Sequence, residues 1–236
     1  MDFVKELEAL GINPNSDILN KFNTYYEKLI EVNSYMNLTA VTEKEEVYNK
    51  HFLDSLTLLK AINLDSSLSL LDVGSGAGFP AIPLAIVKPN LNITIIDALN
   101  KRIKFLNDLV ENLNISNVKA YHKRAEEYAN EAKESFDIVT ARAVARLNVL
   151  IELCIPFVKV GGYFIAMKAS GAKLEIDEAL KGIKLLGGEL SNTLELALPD
   201  GAGMRSIIII KKVKETPSKY PRSFAKIKEK PLWAMN

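Results

Sequence analysis

From about residue 68 onward, short runs of β-branched and apolar residues alternate with segments of helical spacing, and this alternation restricts the fold more tightly than any other feature of the chain. The runs fall at 68–73, 92–97, 118–121, 136–140, 163–167, 189–198 and 206–213, and the helical segments at 81–87, 101–112, 125–133, 147–158 and 173–186. Strands and helices in strict succession predict a parallel sheet covered by helices on both faces. The last two runs are joined by Pro199-Asp200-Gly201-Ala202-Gly203 alone. That link is too short for a parallel crossover, so these strands are expected to pair antiparallel. The expected architecture is α/β and Rossmann-like, a mostly parallel seven-stranded sheet whose last strand is antiparallel.

Upstream the pattern is helical. Ser16 is the expected N-cap of a helix over 17–33, whose apolar face carries Ile18, Leu19, Phe22, Tyr25, Tyr26, Leu29 and Ile30. A second helix is predicted over 44–62. The chain therefore divides into a helical extension (1–64), an α/β core (65–214) and a tail (215–236). With 236 residues, 48% of them hydrophobic, it has enough apolar material to bury a full core. A single cysteine, Cys154, rules out a disulfide framework or a cysteine-rich zinc site, and two histidines rule out a histidine-rich one. The acidic start MDFVKELEALG lacks the basic region of a signal peptide, and no stretch reaches the roughly 18 apolar residues of a membrane span. A cytoplasmic protein is expected. The net charge is +1, but the end is basic: 205–236 holds nine lysines and arginines against Glu215 and Glu229. Such asymmetry suits either a solvated tail or a surface for phosphates.

The loop after the first strand reads LLDVGSGAGFP over 70–80. In an open α/β sheet, ligands sit beyond the carboxyl ends of the strands where strand order reverses, which is where this loop falls. A dinucleotide fingerprint needs G-x-G-x-x-G, and counting from Gly74 the sixth position is Phe79. No Gly-Lys-Ser/Thr follows, so a phosphate-cradling loop is excluded. The spacing D-x-G-x-G-x-G from Asp72 through Gly74, Gly76 and Gly78 resembles instead the first motif of methyltransferases that use S-adenosyl-L-methionine. The seven strands with their terminal hairpin suit that class I fold better than a dehydrogenase. Asp72 is then expected near the ammonium of the ligand's methionine end, with glycines letting backbone N–H groups approach. Asp97, at the end of the second strand, is expected to accept from the ribose diol.

The methyl acceptor is narrowed by what is missing. Carbon-5 pyrimidine enzymes use a cysteine nucleophile, and Cys154 lies within an apolar helical run. Enzymes of exocyclic amino groups resemble one another in an Asn/Asp-Pro-Pro-aromatic loop after the fourth strand, where this chain has FDIVTARA over 136–143. An acceptor with a free lone pair, such as guanine N7, needs no base, so alignment and electrostatics suffice.

Several stretches together resemble the RsmG family, also called GidB. They are NLT at 37–39, KHFLDSL at 50–56, LLDVGSGAGFPAIPLAI at 70–86, NKR at 100–102, RAE at 124–126, FDIVTARA at 136–143 and KYPR at 219–222. The resemblance spans nearly the whole chain. It implies a class I methyltransferase that makes 7-methylguanosine at one position in the decoding region of bacterial 16S rRNA. It further implies that Gly74 and Phe79 contact S-adenosyl-L-methionine at the loop, that Ala125 and Glu126 do so near the adenine, that Arg142 serves the reaction, and that Asn37, His51 and Asp54 face the crevice. The expected partner is 16S rRNA or the small ribosomal subunit, engaged by a monomer without metal or membrane. Lys101, Arg102, Arg205, Lys219, Tyr220 and Arg222 are the expected RNA contacts. The family's Gly-x-Pro element after Tyr-Pro-Arg is replaced here by Ser223-Phe224-Ala225-Lys226-Ile227, and the histidine often found after Arg205 by Ser206.

Other readings leave distinct marks. His51, Asp54 and Ser55 share a helical face, but a hydrolytic triad needs its serine on a strained turn. Tyr220 and Phe224, interleaved with basic residues, suit either stacking on RNA bases or anchoring of the tail. A small-molecule methyltransferase keeps the glycine loop and Asp97 without needing the basic tail. A cofactor- or RNA-binding protein without chemistry transfers no methyl group.

Overall fold

The computed structural model describes residues 1–232, and the last four positions of the expected basic tail, 233–236, lie outside the described residues. Seven strands form one sheet: β1 Ser69–Val73, β2 Asn92–Asp97, β3 Val118–His122, β4 Phe136–Arg142, β5 Val158–Ala169, β6 Gly188–Ala197 and β7 Met204–Lys212. Their order is β3-β2-β1-β4-β5-β7-β6. Neighbours pair parallel from β3 to β5, whereas β7 runs antiparallel to both β5 and β6. Strand order reverses between β1 and β4, which places the ligand crevice above their carboxyl ends.

Alternation along the strands makes two cores. Leu70, Ile93, Ile95, Ile138 and Ile165 point to one face, while Leu71, Val73, Ile96, Val139 and Phe164 point to the other. The first face packs against α1 (Phe3–Ala9), α2 (Ser16–Met36), α5 (Ala81–Val87) and α6 (Asn100–Asn112). Leu7, Phe22, Tyr25 and Leu29 thus share one buried cluster with β1 and β2. The second face is covered by α7 (Ala125–Ala132), α8 (Leu147–Cys154), α9 (Ala172–Leu185) and α10 (Phe224–Glu229).

Several elements depart from the sequence expectation: α1 and α10 form where no helix is expected, and β5 extends well beyond 163–167. The cap of α2 is Asn15, whose Oδ1 accepts from the Ile18 N–H at 2.9 Å, so Ser16 becomes the first helical residue. The helix expected over 44–62 is broken into α3 (Lys44–Val47), a π-helical segment Tyr48–Leu53, α4 (Asp54–Leu56) and a 3-10 turn Thr57–Lys60. Side chains compete with its backbone ladder. Ser55 Oγ donates to the His51 carbonyl, and Thr57 Oγ1 to that of Asp54. The helix expected over 147–158 ends at Cys154, because Pro156 cannot continue it, and Val158 already begins β5.

Candidate active site

The glycine loop leaves β1 with three left-handed residues, Gly74 (φ +72), Gly76 (φ +61) and Gly78 (φ +103). Each has a different duty. A Cβ on Gly74 would stand 2.8 Å from Val144 Cγ2. One on Gly78 would stand 2.7 Å from both Ile82 Cγ1 and the Tyr25 hydroxyl, so packing against the core already requires a glycine here. Gly76 faces open space, and its N–H donates to Asp97 Oδ2 at 3.1 Å. The Tyr25 hydroxyl donates to the Ala77 carbonyl at 2.5 Å, and its ring stacks on Phe79 at 5.4 Å.

One cavity of about 190 Å³ lies beside this loop, and Gly74, Asp97, Ala125, Glu126, Val144 and Phe224 are among its walls. Four of the residues expected to bind the cofactor are therefore brought together. Asp97 is held in place by the N–H groups of Gly76 and Leu99 and by Arg102 Nη1 at 3.3 Å. Its carboxylate oxygens retain lone pairs for a diol. Asp72, Gly76, Gly78 and Phe79 line neither this cavity nor the next. Asp72 lies fully buried beneath the loop, where Thr140 Oγ1 donates to its Oδ1 at 3.1 Å. Burial pushes its carboxyl up to about 7.

The second cavity, about 510 Å³, opens on the other side of the loop that follows β4. Arg142 dominates it. Its Nη1 donates to Asp54 Oδ2 at 2.8 Å, and its guanidinium lies over the Phe79 ring, 4.9 Å from the centroid. Asp54 Oδ1 accepts from Arg205 Nε at 3.1 Å, so one carboxylate joins two arginines on the cavity wall. His51 completes the cluster, with Nδ1 3.3 Å from Arg142 Nη2 and Nε2 2.7 Å from Thr39 Oγ1. Burial, helped by the charge of Arg142, lowers its pKa to about 4, so the ring is neutral. Ser55 is committed to the His51 carbonyl and has no nucleophilic arrangement. Asn37 stays exposed as the left-handed C-cap of α2 (φ 51); it is Asn33 Oδ1 that accepts from the Leu38 and Thr39 N–H groups and so positions Thr39 against His51.

The expected RNA contacts separate into three groups. Lys101 and Lys219 are exposed, and Arg102 is partly so while paired with Asp97. Arg205 belongs to the second cavity. Tyr220 is 7% exposed within the core, in keeping with the anchoring alternative, and Arg222 forks onto the buried Glu152 of α8 with Nη2 at 2.6 Å. Among the described residues, no three His, Cys, Asp or Glu side chains gather as a metal site, and no helix is long and apolar enough to cross a membrane.

A family model described as rRNA small subunit methyltransferase G, GidB, matches residues 18–204. The chain belongs to this family. Relatives named ribosomal RNA small subunit methyltransferase G include one from Lachnoclostridium phytofermentans, 50% identical over 98% of this chain and 96% of its own length. Another, from Geobacillus sp. (strain WCH70), is 52% identical over 92% of each chain. Among solved structures, a mutant MtNAS in complex with S-adenosylmethionine superposes with a TM-score of 0.57 at 13% identity, over 83% of this chain and 73% of that one. A precorrin-6y C5,15-methyltransferase from Geobacter metallireducens does so at 0.53 and 17%, over 73% and 90%. At such identities these two speak for the class I methyltransferase fold alone.

The GidB-family site fits S-adenosyl-L-methionine on its own geometry. Gly74 and Asp97 line one cavity, a Cβ on Gly74 would press on Val144 at its wall, and the Asp97 carboxylate supplies acceptors there. Sequence reasoning missed Tyr25, Thr140, Val144 and Phe224. On paper the first three are core residues like their neighbours, and only their hydroxyl partners or contacts with the loop set them apart. Phe224 lies in a basic segment that points away from a cofactor site.

Proposed function

We propose that this chain transfers the methyl group of S-adenosyl-L-methionine to N7 of one guanosine in the decoding region of 16S rRNA, acting in the cytoplasm on the small ribosomal subunit or its RNA. The observation that carries this reading is the pair of cavities divided by the loop after β4, the smaller bearing Gly74 and Asp97 and the larger walled by Arg142 and Arg205. When bound, the cofactor supplies a methyl group already activated on a sulfonium. Gly74, Asp97, Ala125 and Glu126 hold it. Arg142 and Arg205, oriented in advance by Asp54, offer planar donors to a carbonyl or phosphate of the RNA. His51 remains neutral and bonded to Thr39, in keeping with an acceptor nitrogen that needs no deprotonation. In this division of labour, residues 1–64 brace the loop, 65–214 bind the cofactor, and the tail from 215 supplies exposed cations.

The test is to incubate the protein and labelled cofactor with small subunits lacking the modification and to map the product chemically. Label in 7-methylguanine is expected, and label at an adenine or pyrimidine would refute the acceptor assignment. A small-molecule acceptor instead predicts a transfer rate insensitive to replacing Lys219, Lys226 and Lys228 together with alanine. Point replacements are the better probe, because the tail buries Tyr220 and Ile227 and its removal would open the core.

A further inference from the structure

Phe224 opens α10 and stands 37% exposed, yet it forms a wall of the cavity that contains Gly74 and Asp97. Its place there is fixed by its neighbours on the tail. Tyr220 is buried, Arg222 is locked onto Glu152, and Ile227 is fully buried in the same core cluster. The tail thus leaves β7, crosses α8 and delivers one aromatic ring to the cofactor side of the molecule. Val73, Ile96, Val144 and Leu153 give the cavity its apolar walls, and Asp97, Lys123, Arg124 and Glu126 its charged ones. A largely apolar cavity that also holds a carboxylate suits a flat heterocycle joined to a diol, and the exposed part of Phe224 leaves it free to take a stacking partner.

We propose that Phe224 is a cofactor-binding residue that stacks on the adenine ring, so that the tail completes the S-adenosyl-L-methionine site. The inference rests on reading this cavity as the cofactor site. It assigns the tail a second duty besides carrying cations for RNA.

The experiment is titration calorimetry of the full chain with S-adenosylhomocysteine and with methylthioadenosine, which lacks the amino-acid end. The wild type should bind both. Phe224→Ala should bind each about tenfold more weakly, in the range of base–aromatic stacking. Phe224→Trp should restore the affinity, and Phe224→Leu, which keeps apolar bulk without a π face, should not. Glu229→Gln, a charge change on the same helix, should leave both affinities unchanged. Equal binding by wild type and Phe224→Ala overturns the proposal, as does restoration by leucine or a loss confined to S-adenosylhomocysteine. If the wild type binds neither nucleoside, the cofactor assignment itself fails and the proposal with it.

Discussion

The hydroxyl of Tyr25, in the middle of α2, donates to the carbonyl of Ala77 at 2.5 Å, and this bond ties the N-terminal helices to the loop after β1. The phenol is fully buried, and burial keeps it protonated by raising its pKa well above the ordinary value. Stacking on Phe79 adds a second link, and Phe79 in turn carries the Arg142 guanidinium on its face. A chain of contacts therefore runs from a helix far from the chemistry to the residue expected to handle the acceptor.

Tyr25→Phe should cost about 1 kcal/mol of stability, because it leaves a buried carbonyl without its donor. Cofactor affinity should fall severalfold as the loop loosens. Denaturant unfolding and S-adenosylhomocysteine titration measure the two effects, and an unchanged affinity would show that the loop holds its shape without this bond.

Arg142→Ala should lower methyl transfer by at least tenfold while the protein stays folded, since Asp54 keeps its bond to Arg205. Arg142→Lys should rescue little, because one ammonium cannot reproduce a planar fork that bonds Asp54 and covers Phe79. Single-turnover rates with unmodified subunits decide the point, and a rate equal to wild type would remove Arg142 from the site.

Two buried groups give stability opposite dependences on pH. Asp72 has its pKa raised from 3.8 to about 7, so the native state holds the proton more tightly and the stability it contributes below pH 3.8 is lost as pH rises through 7. His51 has its pKa lowered from 6.5 to about 4, so its contribution is complete above pH 6.5 and is lost as pH falls through 4. Asp72→Asn should therefore gain on the wild type between pH 4 and 7, and His51→Gln should gain as pH falls from 6.5 to 4. Urea unfolding across that range checks both slopes, and parallel curves would contradict the burial argument.

Arg222→Ala should destabilise by roughly 3 kcal/mol, the cost of stranding a buried carboxylate. Glu152, fully buried, depends on that guanidinium for its charge compensation. Glu152→Gln in the Arg222→Ala background should recover much of the loss, and thermal unfolding of the single and double variants tests it. A surface role for Arg222 would instead leave stability within about 0.5 kcal/mol of wild type.

Much of this protein was legible in the order of its residues. Strand positions follow from short β-branched and apolar runs such as Asn92–Asp97, helix positions from wider apolar spacing, and the terminal hairpin from a link of five residues. The glycine spacing and the acid closing β2 located the crevice, because local backbone rules and sheet topology act over short stretches. Tertiary structure alone decided which of those residues meet. Asp54 lies 88 positions from Arg142 and 151 from Arg205, and no local pattern couples them. Gly78 and Gly76 look alike in sequence, yet one is packed under Tyr25 and the other is open, because the space around a residue is made by distant chain. Whether Tyr220 faces RNA or anchors the tail stayed open in sequence, and Arg222 read as a surface group, until the fold supplied an apolar core and a buried Glu152 to receive them.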